Sequence, residues 1–239
     1  MAGRRADKEI IRIIINFMRN PEEIFLKKEG DNWFKRNKGT AWEGGRWDPP
    51  LYLMEQYSLR PKRVLEIGCS NGWRLAEIIK KHHVKCVGVE PSPLAIKEGK
   101  KKNSKVIFKR GIASSLPLEE TFDLVIINFV LHWVSREFLF KVIAEIDRVV
   151  ADEGYLIIGD FLPDNPTKVR YHHLPKEEVY TYKQDYTQIF TVSALYQRVA
   201  TISFDHEKYL LSSKTNSQHR GGCSLLRKSS KYNFFSFPN

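Results

Sequence analysis

The run Val64-Leu65-Glu66-Ile67-Gly68-Cys69-Ser70-Asn71-Gly72 constrains this chain more than any other stretch. Its apolar, β-branched start reads as a buried parallel strand. Gly68 and Gly72 then lead into Trp73-Arg74-Leu75-Ala76-Glu77-Ile78-Ile79, where apolar positions recur at helical spacing. A strand turning through glycines onto a helix sets backbone N–H groups and the positive end of a helix dipole beside a ligand. A second apolar strand, Lys85 to Val89, closes on Glu90. An acid about 20 residues past such a turn accepts hydrogen bonds from ribose hydroxyls, so the expected ligand carries a ribose. The dinucleotide fingerprint is not met, because Ser70 stands at its second glycine.

Beyond this unit strands and helices alternate. Strands are expected at 64–67, 85–89, 105–109, 122–127 and 155–161, with helices at 73–82, 93–100 and 136–150. That pattern implies a parallel sheet wound on both faces, with ligands beyond the carboxyl ends of the strands. Gly68, Glu90, Gly111 and Asn128 all fall there. Upstream, residues 10–18 have helical spacing, Pro21-Glu22-Glu23 suits a helix start capped by Asn20, and Leu51 to Tyr57 reads as a short helix. Downstream, 191–199 reads as a helix, and 201–211 and 222–228 as two last strands.

The residues resemble class I S-adenosylmethionine-dependent methyltransferases, of the small-molecule, type 11-like kind. Glu66 to Gly72 is similar to that family's first motif, and Glu90 matches its ribose-binding acid. Gly111-Ile112-Ala113-Ser114-Ser115-Leu116-Pro117 resembles the third motif. Phe122 to Asn128, followed by Leu131-His132-Trp133, resembles the fourth strand and its exit. The resemblance spans roughly residues 60–160. It implies an α/β fold with a Rossmann-like, doubly wound, seven-stranded sheet, ending in an antiparallel hairpin and preceded by an N-terminal helical extension. The expected division is an extension over 1–60, a methyltransferase domain over 61–231 with a substrate-side insertion at 162–198, and a tail over 232–239.

By the same resemblance S-adenosyl-L-methionine is the cofactor. Glu66, Gly68, Cys69, Ser70 and Gly72 would surround its methionine part, with Glu90, Pro91 and Ser92 at the ribose. Gly111, Ile112 and Ala113 would face adenine, and Asn128, Phe129 and Val130 the donor's other side. Methyl transfer requires positioning and, for a hydroxyl acceptor, removal of a proton. His132, after the fourth strand, is the first candidate base, with His172 behind it and Asp160 at the end of strand five as a further one. Trp33, Arg36, Arg46, Trp133, Tyr171, His173 and Tyr182 are candidate substrate contacts, the first three on a Gly-flanked aromatic stretch suited to a lid. No metal is required.

A formal net charge of +11 reads as a solvated basic surface, with nucleic acid the second-ranked partner. Asn128-Phe129-Val130-Leu131 is not the Asn-Pro-Pro-Tyr pattern that marks methylation of exocyclic amines in the family. The expected acceptor is therefore a small molecule, such as a sugar, lipid precursor or secondary metabolite, methylated on oxygen. An RNA methyltransferase and a donor-binding protein without methyl transfer are the competing readings. Three isolated cysteines suit a reducing compartment, and no apolar run is long enough to span a membrane, so a cytoplasmic protein is expected. The sequence fixes no oligomeric state.

Overall fold

The computed structural model describes residues 21–39 and 47–229. The expected helix at 10–18, Arg46 and the tail at 232–239 lie outside the described residues.

Helix α1 (Pro21–Ile24) runs through a π-turn (Phe25–Glu29) into α2 (Gly30–Asn37). Helix α3 (Pro49–Gln56) follows, its prolines in the first turn where no N–H is needed and Asp48 accepting from the Leu51 N–H at 3.0 Å. Pro49-Pro50 thus starts a helix. The alternating unit is β1 (Arg63–Ile67), α4 (Trp73–His82), β2 (Lys85–Glu90), α5 (Pro93–Lys102), β3 (Ile107–Arg110), β4 (Phe122–Asn128), α6 (Leu139–Val149) and β5 (Val150–Phe161). Then come β6 (Thr167–Arg170), β7 (Tyr180–Lys183), α7 (Thr187–Thr191), β8 (Tyr196–Asp205), β9 (Leu210–Leu211) and β10 (Arg220–Lys228).

The main sheet has the order β3-β2-β1-β4-β5-β10-β8-β9. Strands β1 to β5 pair in parallel, Leu65 lying beside Val87 and Val125, while β10 runs antiparallel to β5 and β8. Both faces are covered, so β1 and β4 carry apolar residues on either side. Leu65, Val125 and Ile127 pack with Val142 and Ile146 of α6, and Val64, Leu124 and Ile126 with Leu75 and Ile78 of α4.

Three expectations change. The sheet has eight strands because the expected strand 201–211 folds back on itself. Asp205 Oδ1 accepts from the N–H groups of Glu207 and Lys208 at 3.0 Å each, turning the chain so that 210–211 pairs with 204–205. The helix expected over 191–199 ends at Thr191; Ala194 takes a left-handed φ of 58°, and β8 begins at Tyr196. Ladder pairing with β10, such as Thr201 with Ser224, overrides the local helical spacing. The 162–198 insertion contains the β6–β7 hairpin, which the sequence reading had not resolved.

Candidate functional site

The turn from β1 to α4 is built on left-handed backbone. Gly68 has φ +76°, and a Cβ there would stand 2.4 Å from Val130 Cγ2. Ser70 holds φ 51° without glycine's freedom, steadied by its N–H donating to Glu90 Oε2 at 2.8 Å. Gly72 caps α4 with φ 72° against Phe108. The turn is tied to β2 by the Gly68 N–H on the Val89 carbonyl at 2.8 Å.

Glu90 is buried and accepts a second N–H, that of Ser92, on Oε1 at 2.9 Å. Burial pushes its carboxyl up to about 7, against the pull of the two N–H groups. Glu66, at the end of β1, is likewise pushed up to about 7 by burial, with Arg74 pulling the other way. Arg74 itself is buried. It grips Asp48 with Nε at 3.0 Å and Nη2 at 2.9 Å, and also bonds Glu66 Oε1. Burial opposes its charge, but the two carboxylates overcome that and hold the guanidinium ionised.

Across the rim, the Gly111 N–H donates to the Glu90 carbonyl at 3.2 Å, and Ile112 and Ala113 follow. At the end of β4 the Asn128 side chain lies over Gly159, where a Cβ would be 2.0 Å from Oδ1. Phe129 has a left-handed φ of 54° and leads into the 3-10 turn Leu131–Trp133. Asp160 steadies that turn by accepting the His132 N–H at 3.1 Å, and His132 Nδ1 lies 2.9 Å from Asp160 Oδ1.

These elements surround a cleft of about 370 Å³. Its floor takes Glu66, Gly68, Cys69, Ser70, Glu90, Pro91, Gly111, Ile112, Ala113, Asn128, Phe129 and Val130, all expected from the sequence. Gly72 and Ser92 stand one layer back: Ser92 is buried, with its Oγ 2.5 Å from Asp31 Oδ1 and capping Ala95 N–H at 3.1 Å. His132, Trp33 and Trp133 also line the cleft. Helix α2 forms its roof, pinned at one side by Asp31 to Ser92 and at the other by Glu29 and Arg36, which meet the Tyr171 hydroxyl at 2.7 Å each.

Several expected substrate contacts lie elsewhere. Arg36 and Tyr171 are used in that roof contact, and the Tyr171 ring packs on Trp133 at 4.4 Å from outside the cleft lining. His172 and His173 are exposed on the loop beyond Tyr171, away from the lining, so His172 does not share the site of His132. Tyr182 lies under Arg136, 4.4 Å from the guanidinium carbon, and faces no part of the cleft. The sequence reading missed Arg74, Phe161, His206 and Tyr209, which do line it, and Asp48 behind them.

A model described as a methyltransferase domain matches residues 65–158, which run from β1 into β5. Those residues are a class I S-adenosylmethionine-dependent methyltransferase domain. Among curated relatives of the domain is a malonyl-[acyl-carrier protein] O-methyltransferase of Bacillus cereus, 28% identical over 46% of this chain and 41% of that protein. Another is norajmaline N-methyltransferase of Rauvolfia serpentina, 35% identical over 47% of this chain and 40% of that one. The chain thus spans about two fifths of the length of these relatives. Solved structures extend the likeness in fold beyond the domain. The N-methyltransferase NodS of Bradyrhizobium japonicum, in complex with S-adenosylhomocysteine, has a TM-score of 0.59 at 16% identity, over 87% of this chain and 98% of that one. The 1,6-didemethyltoxoflavin-N1-methyltransferase of Burkholderia thailandensis reaches 0.64 at 16% identity, over 87% of each chain.

S-adenosylmethionine is the cofactor of this methyltransferase domain, and the rim has groups suited to it. Glu66 Oε2 and Asn128 Oδ1 are buried without a hydrogen-bond partner among the described residues. Two orphaned oxygens in a floor of backbone turns need donors from a ligand, and a ribose and an amino group supply donors. Among the described residues no helix is long and apolar enough to cross a membrane. The cysteines Cys69, Cys86 and Cys223 are free and buried, and burial pushes the Cys86 thiol up to about 12, away from reactivity.

Proposed function

We propose that the protein methylates a hydroxyl of a small molecule in this cleft, with His132 as the base. The observation that carries the reading is the His132–Asp160 pair at the cleft wall, next to the rim formed by Asn128, Phe129 and Val130. A carboxylate 2.9 Å from Nδ1 favours the imidazolium that forms when Nε2 accepts a proton, although the two are not in hydrogen-bond geometry in this structure. An oxygen acceptor requires that help, since a hydroxyl is a poor nucleophile until its proton is taken.

Glu90 would hold the ribose hydroxyls through the lone pairs its two backbone bonds leave over, and Glu66 Oε2 with Asn128 Oδ1 would take donors of the methionine part. Arg74, held by Asp48, positions Glu66. When bound, S-adenosylmethionine supplies a methyl carbon on a positively charged sulfur. The chain contributes orientation, a dry aromatic wall and a proton acceptor. Calorimetric titration with S-adenosylhomocysteine tests the cofactor half, with one site per chain expected. Incubation with S-adenosylmethionine and a panel of small hydroxy compounds tests the other half. Formation of methyl ether that is lost in His132→Ala supports the reading; methylation of RNA alone, or of none of the compounds, refutes it.

A further inference from the structure

His206 follows the last residue of β8 and lines the cleft. Its Nδ1 lies 2.6 Å from the His219 carbonyl oxygen. A carbonyl only accepts, so Nδ1 carries the proton, and in the neutral ring Nε2 is left with a bare lone pair. The ring is held in place on two further sides. It stacks on His219 with centroids 6.0 Å apart and 18° between planes, and it meets Phe161 edge-on at 4.9 Å. His132 meets the same Phe161 ring edge-on, also at 4.9 Å, with its own Nδ1 turned to Asp160. Two imidazoles therefore flank one phenyl ring, that of His206 hydrogen-bonded through Nδ1 and that of His132 with Nδ1 2.9 Å from Asp160 Oδ1 but outside hydrogen-bond geometry.

The remaining walls at this end are rings as well: Phe129, Trp133 and Tyr209. Among the described lining residues the charged ones are elsewhere. Glu66, Arg74 and Glu90 gather at the glycine turn, and Lys38 is paired with Glu98. Lys183 Nζ lies 3.7 Å from the Phe161 ring centroid but is not among the lining residues. A ring-lined pocket with two imidazoles suits a flat, uncharged molecule that brings its own donors.

We propose that the acceptor is a planar aromatic compound with two O–H or N–H donors, one directed to His132 and the other to Nε2 of His206. His206 is then a specificity-determining residue, and the inference rests on the reading of this cleft as the methyl-transfer site. The hydroxyl facing His132 gives up its proton to Nε2 of that ring and keeps the electron pair that bonds the methyl carbon, whose bond to sulfur would break with the pair left on sulfur as the neutral thioether of S-adenosylhomocysteine. The second group keeps its proton and donates to His206. A ring with only one donor leaves His206 Nε2 desolvated and unpaired, which is how a polar contact discriminates.

The test uses the full chain loaded with S-adenosylhomocysteine, titrated calorimetrically with phenol, catechol, resorcinol, hydroquinone and cyclohexanol. At least one dihydroxybenzene should bind about tenfold more tightly than phenol, the worth of one hydrogen bond to a buried lone pair, and cyclohexanol should bind worst. His206→Asn can still donate to the His219 carbonyl but has no acceptor at the place of Nε2, so the ratio of diol to phenol affinity should fall to about one, whatever the affinity for phenol itself. The thermal midpoint of the variant reports its folding. Nitrogen NMR of the wild type, above the imidazole titration range, should show His206 protonated on Nδ1. Phenol binding as tightly as all three diols, an advantage that survives in His206→Asn, or an Nε2-protonated His206 overturns the proposal. Failure of S-adenosylhomocysteine to bind overturns the underlying reading instead.

Discussion

Replacing Glu90 by glutamine should make the fold more stable and the cofactor site worse. The wild-type carboxyl is buried and raised from 4.5 to about 7, so ionising it inside the fold costs about 3 kcal/mol. Between those two values the folded chain holds a proton that the unfolded chain has released. The contribution of Glu90 to stability is therefore intact below pH 4.5, falls as the pH rises, and levels off above about 7. Glutamine has no charge to bury, but its amide nitrogen must face one of the Ser70 and Ser92 N–H groups that the carboxylate satisfies together. Losing that bond costs about 1–2 kcal/mol. The balance above pH 7 is a gain of about 1–2 kcal/mol, or a few degrees in the midpoint of thermal unfolding. Ribose hydroxyls lose a charged acceptor at the same time, so affinity for S-adenosylhomocysteine should fall about 10- to 100-fold, the worth of a charge-assisted bond. Wild-type affinity should also weaken about tenfold from pH 8 to pH 6 as Glu90 takes up its proton, a step that glutamine diminishes. Calorimetry at both pH values and a thermal melt decide the matter. A variant that binds like the wild type at both, or that melts lower above pH 7, refutes the assignment of Glu90 as a buried, ribose-facing carboxylate.

Arg74→Met leaves Asp48 and Glu66 buried without their cation and should cost about 3–5 kcal/mol in urea denaturation at pH 8. Asp160→Asn removes the negative charge 2.9 Å from His132 Nδ1, so turnover of any hydroxyl acceptor the wild type uses should drop about 100-fold or more, with S-adenosylhomocysteine affinity within about twofold of wild type. Gly159→Ala drives a methyl into Asn128 Oδ1; a stability loss of about 1–3 kcal/mol and weaker cofactor binding are expected by melting and calorimetry.

The half of the molecule legible in the sequence is the half governed by short-range rules. Leu65 and Val125 are apolar on a strand buried on both faces, and Gly68 and Gly72 adopt backbone that side chains disfavour, so β1 to β5 and the cofactor floor can be read residue by residue. Strand β8 could not be read that way. Its start at Tyr196 depends on β10, more than twenty residues away, and local spacing around Thr191 favours a helix until that partner is known. The same limit applies to the acceptor end. His206 carries no motif; what marks it is the His219 carbonyl brought alongside by the turn at Asp205. Tyr171, conversely, has the residue type of a substrate contact but spends its hydroxyl on Glu29 and Arg36. Arg74 stands two residues past Gly72 without a motif of its own, and only the fold brings Asp48 and Glu66 to it.

The roof over the cleft is fastened at both margins. Asp31 clasps the start of α5, and the Glu29–Arg36 pair clasps Tyr171 on the opposite bank. Trp33 and Phe34, between the two fastenings, face the cleft. Admission and release of the donor then depend on how readily α2 gives way at these two fastenings.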